Sequence, residues 1–127
     1  ISDYSTVIKI DPTYPVPYYN RGLAKSKIKD FNGSLSDYNN AIKLKPDYAI
    51  AYNNRGNVKF NLKNYRGAIM DYSYAIKFKS KGPSKIFTNR GVSKELIGDL
   101  EGACKDWSVA ARLGNRNAKK WILEQCK

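Results

Sequence analysis

Self-similarity at a fixed spacing constrains this chain more than any other feature. Tyr18-Tyr-Asn-Arg-Gly22, Tyr52-Asn-Asn-Arg-Gly56 and Phe87-Thr-Asn-Arg-Gly91 superpose, with their glycines 34 and then 35 residues apart. A second block travels with the first: Asp37-Tyr-Asn-Asn-Ala-Ile42, Asp71-Tyr-Ser-Tyr-Ala-Ile76 and Asp106-Trp-Ser-Val-Ala-Ala111. Asp3-Tyr-Ser-Thr-Val-Ile8 stands 34 residues before Asp37 and reads as the second half of a truncated unit. A period of this length marks a supersecondary unit that cannot bury its apolar face alone, so neighbouring units stack and share one core.

Each unit reads as two helices. In the first complete unit one runs from about Pro15 to Lys29-Asp30 and the next from about Asn32 to Leu44, where Pro46 stops it as Pro12 stops the fragment before it. Leu35, Tyr38, Ala41 and Ile42, with Ile69, Tyr72, Ala75 and Ile76 one period later, recur at three- and four-residue steps and form one apolar stripe. Leu113-Gly114-Asn115 reads as a helix stop. A last helix over 117–127 then presents Ala118, Trp121, Ile122 and Leu123 to the preceding unit as a cap. The expected division is 1–14, 15–48, 49–83, 84–116 and the capping helix 117–127, all in one all-α domain.

Two helices in 34 residues, with a large aromatic, Gly four residues on, then a small residue and an aromatic four apart, resemble the tetratricopeptide repeat (TPR). Tyr52, Gly56, Ala68 and Tyr72 fit that pattern, as do Phe87, Gly91, Ala103 and Trp107. Ser34 replaces the usual Ala in the first unit, and Ser80 replaces the closing Pro in the second, where the link Ser80-Lys-Gly-Pro-Ser84 is longer. The Asn-Arg-Gly style is similar to bacterial members of the family. The resemblance implies a right-handed superhelical solenoid that acts as a non-catalytic scaffold for another polypeptide.

Composition agrees with a role without catalysis. The absence of His removes the commonest general base and metal ligand, two cysteines are too few for a thiolate zinc site, and no cofactor motif occurs. Twenty-three Lys and Arg against eleven Asp and Glu leave a net charge of +12, which draws in polar or acidic partners. No apolar run is long enough to cross a bilayer.

Asn20, Asn54 and Asn89 are the leading binding residues. The resemblance puts this side of the first helix on the concave surface, and an amide offers the donor and acceptor that an extended peptide backbone requires. Ile50, Asn53, Asn57, Phe60 and Asn61 would extend the groove in the central unit, with Tyr19, Leu23, Lys27, Lys85, Thr88, Val92 and Glu95 in its neighbours. The family's carboxylate clamp for chaperone C-termini is matched only at Asn54 and Lys85, because Tyr19, Leu23 and Asn89 occupy the other clamp positions. Arg21, Arg55 and Arg90 look like a basic ladder, but each unit also holds one acid, Asp37, Asp71 or Asp106, so ion pairs within each unit are the preferred reading. Gly22, Gly56 and Gly91 stand alone in helices and serve close packing. Cys104 and Cys126 fall at similar heights on either side of the Gly114 bend, within reach of a disulfide. Such a bond would imply an oxidising, exported compartment; without it a cytoplasmic location is favoured. The expected ligand is an extended peptide or a partner loop. Two alternatives are kept: electrostatic binding of RNA or an anionic surface, less favoured because most aromatics sit at packing positions, and self-assembly through the open N-terminal edge.

Overall fold

A computed structural model describes residues 2–126, with side chains from Tyr4 onward. Ile1, the side chain of Asp3 (the first copy of the repeated acid) and Lys127 at the end of the expected cap lie outside the described residues. The helices are α1 (Ser2–Ile10), α2 (Pro15–Lys27), α3 (Phe31–Leu44), α4 (Ala49–Asn61), α5 (Tyr65–Lys77), α6 (Pro83–Leu96), α7 (Leu100–Arg112) and α8 (Arg116–Gln125). Helices adjacent in the chain pack as pairs, α2 on α3, α4 on α5 and α6 on α7, and each pair stacks on the next; α8 packs on α7.

Short polar residues start the second helix of each pair. Asp30, Asn64 and Asp99 accept from the N–H groups of Gly33, Gly67 and Gly102 at 3.1, 3.0 and 2.9 Å, which satisfies one of the free donors at each helix start. Asn115 does the same for α8 through Ala118 at 2.9 Å. The first helix of the first pair ends two residues earlier than the expected Lys29. α2 stops at Lys27 because Lys29 takes φ +64° and the N–H groups of Lys29 and Asp30 bond back to the carbonyls of Ser26 and Lys25. The same paired bonds recur at Lys63–Asn64, Lys79–Ser80, Gly98–Asp99 and Gly114–Asn115. A left-handed residue closed in this way is a standard helix terminator, here filled three times by lysine instead of glycine.

The core alternates small and large. Ala41, Ala68, Ala75, Ala103 and Ala110 are fully buried beside Tyr38, Tyr72 and Trp107, which are at most 1% exposed. Room for each ring comes from the repeat glycine. A Cβ at Gly22 or Gly56 would lie 2.9 Å from Tyr38 or Tyr72, and one at Gly91 would lie 2.5 Å from Trp107. The rings therefore rest directly on the neighbouring helix backbone. A methyl group there forces the ring aside, at a cost of about 1–3 kcal/mol.

Candidate functional site

The basic ladder is consumed by the fold. Arg21 donates Nε and Nη2 to Asp37 Oδ2 and Oδ1 at 2.9 and 2.6 Å, and Lys25 Nζ lies 3.2 Å from Asp37 Oδ2. Arg55 and Lys59 hold Asp71 in the same way, with Nη2–Oδ1 at 2.7 Å and Nζ–Oδ2 at 3.1 Å. Arg90 and Lys94 hold Asp106 at 2.7 and 3.0 Å. Asp37 and Asp71 are 1% exposed and Asp106 3%, so each carboxylate is removed from water and compensated by a two-pronged guanidinium and an ammonium. The hydrogen bonds that Arg21 donates to Asp37 raise the Arg21 pKa and outweigh the lowering by burial.

The third guanidinium nitrogen reaches backward. Arg21 Nη1 donates to Ser5 Oγ at 3.2 Å, Arg55 Nη1 to Asn39 Oδ1 at 2.9 Å and Arg90 Nη1 to Ser73 Oγ at 3.1 Å. Each arginine thus fastens its own pair of helices to the pair before it. Sequence reasoning missed these acceptors, although Ser5, Asn39 and Ser73 stand two residues after the repeated acid at a spacing of 34.

The expected groove residues have unequal fates. Asn54 Nδ2 donates to the Tyr19 hydroxyl at 2.7 Å, which ties α4 to α2. Tyr19 is 9% exposed, and its ring packs on Tyr38 and Tyr48 with centroids 5.9 and 5.4 Å apart. Its expected place on an open surface is corrected to a place in the core, because Tyr48 of the following turn folds over it. Burial raises the Tyr19 pKa, and the bond to Asn54 partly offsets it. Asn57 Oδ1 accepts from the Tyr72 hydroxyl at 2.7 Å, and Phe60 packs edge-on against Tyr65 at 5.4 Å, so both help hold α4 on α5. Thr88 is buried and bonds the carbonyl of Ser84 at 2.8 Å. Asn53 is half-buried with its Oδ1 enclosed and unpartnered.

Other polar groups remain open. No hydrogen bond among the described residues holds the half-buried side chains of Asn20 and Asn89. Leu23 is half-buried, and Ile50, Asn61 and Lys85 are exposed. A disulfide joins Cys104 on α7 to Cys126 just beyond α8, with Cα atoms 5.8 Å apart. It backs a contact in which Ala118 is fully buried and the Trp107 and Trp121 rings lie 5.2 Å apart. Among the described residues no group of His, Cys, Asp or Glu is arranged to hold a metal ion. Among the described residues no helix is long and apolar enough to cross a membrane.

The family model described as TPR repeat matches residues 27–63, which run from the end of α2 through α3 and α4 to the turn before α5. Together with the paired helices and the glycine-on-aromatic contacts, that match decides the architecture. The fold is that of a tetratricopeptide-repeat solenoid. Solved TPR structures agree over most of the chain. MamA is 25% identical with a TM-score of 0.84, over 93% of this chain and 68% of its own. The Arabidopsis OM64 TPR domain is 26% identical with a TM-score of 0.79, over 87% of this chain and 93% of its own. The first TPR of Spaghetti (RPAP3), solved bound to the HSP90 peptide SRMEEVD, is 20% identical with a TM-score of 0.81, over 91% and 93%. No curated protein matches the sequence.

Proposed function

We propose that this TPR solenoid is a non-catalytic scaffold that holds an extended peptide or a partner loop along the face formed by α2, α4 and α6. The observation that carries the reading is the pair of unengaged amides, Asn20 and Asn89, at equivalent places in the outer repeats. A half-buried amide without a partner gains most from a ligand whose backbone supplies both a donor and an acceptor. Leu23, Ile50 and Asn61 add apolar and polar surface between them. Spaghetti binds its peptide with the same architecture, which supports the class of ligand and not its sequence. The clamp positions filled here by Tyr19, Leu23 and Asn89 argue against a copy of that recognition. The disulfide supports residence in an oxidising compartment.

The test is selection of peptides from a random phage library on the immobilised chain, followed by calorimetry. Asn20→Ala combined with Asn89→Ala is expected to weaken the selected peptides by about tenfold, with helical content unchanged. Asn54 is left alone because it holds Tyr19. Full affinity in the double variant places the site elsewhere.

A further inference from the structure

The repeat spacing slips by one residue at a single place, between Gly56 and Gly91, and the slip falls in the Phe78–Pro83 turn. This turn and the Lys45–Ala49 turn face each other across an open cleft of about 430 Å³. Tyr48, Ala49, Ile50 and Phe78 supply its apolar lining. Lys45, Lys79 and Lys81 supply its charge, opposed only by Asp47.

None of these three lysines makes an ion pair among the described residues, unlike Lys25, Lys59 and Lys94. Lys45 instead lies over the Tyr48 ring, with Nζ 4.8 Å from the centroid. The other turns between repeats show how the cleft acquired its sign. The turn before α2 carries Asp11 and the turn before α4 carries Asp47, whereas the turn before α6 has no acid and uses its extra residue to add a second lysine. Ile50 remains 41% exposed at the wall, and Phe78 is anchored against the Tyr52 ring at 5.7 Å.

We infer that this cleft is an anchor for an acidic peptide segment in which one aliphatic side chain is flanked by carboxylates. The volume admits an aliphatic side chain together with its adjoining backbone against Tyr48, Ile50 and Phe78, while Lys45, Lys79 and Lys81 neutralise carboxylates on either side. Unpaired cations beside an apolar wall attract anions at long range and hold them more strongly where water is partly excluded. The inference rests on the reading of this chain as a peptide binder, but not on the Asn20 and Asn89 face.

The experiment follows the fluorescence anisotropy of a labelled heptapeptide with four glutamates around a central leucine. Wild-type protein is expected to bind it, and raising salt from about 50 to 300 mM to weaken the complex. Lys79→Glu with Lys81→Glu is expected to weaken it at least tenfold, with circular dichroism unchanged because both lysines are exposed. Replacing the glutamates by glutamines should weaken it similarly, and leucine by alanine several-fold. Failure of the wild-type protein to bind, undiminished affinity in the lysine variant, or equal binding of labelled oligouridylate by the same lysines overturns the anchor. The Asn20→Ala/Asn89→Ala variant separates the two proposals. If it alone loses the probe, the amide face stands and the cleft falls. If library-selected peptides ignore those amides while the lysine variant loses the probe, the cleft stands alone.

Discussion

Tyr38 and Tyr72 fill the same place in successive repeats, yet their hydroxyls differ. Tyr72 donates to Asn57 Oδ1 at 2.7 Å, whereas the buried Tyr38 hydroxyl makes no well-formed hydrogen bond and has only the Ser34 hydroxyl beside it, which donates to the carbonyl of Gly22. Tyr72→Phe is therefore expected to cost about 1 kcal/mol in urea unfolding, and Tyr38→Phe to be neutral or slightly stabilising. Equal losses would contradict the assignment. Burial pushes the ionisation of both phenols well above the ordinary tyrosine range. Their contribution to stability is thus fully present below about pH 10 and is lost as pH rises through the higher folded-state values. Absorbance at 295 nm should show the two rings ionising only as the helical signal collapses; full tyrosinate formation near pH 10 with intact helices would refute this. At this scale the packing role of Tyr38, Tyr72 and Trp107 was legible, because each follows a repeated acid by one position. Tyr19 was not, because its burial comes from Tyr48, twenty-nine residues on and across a turn. Asn54 then changes from a groove residue to a support for Tyr19.

Among the helices, α8 depends most on a single covalent tie. It packs on α7 through Ala118, Trp121 and Ile122, whereas Leu123, expected in the same contact, points away and is 78% exposed; the Cys104–Cys126 bond closes a chain separation of 22 residues. Removing a cross-link over such a loop costs about 3 kcal/mol. Cys126→Ser, or wild-type protein in dithiothreitol, should lose hydrogen-exchange protection in α8 while α4 and α5 keep theirs. Equal protection in both states would show that apolar packing alone holds the cap. The existence and pairing of the helices could be read from period and stripe. Their ends could not, because Lys29, Lys63 and Lys79 adopt a left-handed conformation that glycine usually signals, and only Gly98 and Gly114 gave that cue.

Across the whole molecule, the buried acids convert a stack of helix pairs into a linked array. Asp71→Ala strands Arg55 and Lys59 in a partly dry site and also slackens the bond from Arg55 to Asn39. The expected loss is about 3 kcal/mol, or roughly 10 °C in Tm, with the affinity of the folded protein for selected peptides unchanged. A shift under about 3 °C, or a selective loss of binding, would assign the carboxylate to recognition instead. Six of the twenty-three cations are spent on these clamps, so the net charge of +12 overstates the free basic ladder and the cleft lysines carry more of what remains. The backward reach of the arginines also gives the array a direction. On a ribosome, the helix bearing Asn39 emerges before Arg55, and Arg55 before the Asp71 that orients it. Each repeat is latched only once its successor has been translated, so a nascent chain tightens one step behind its own synthesis.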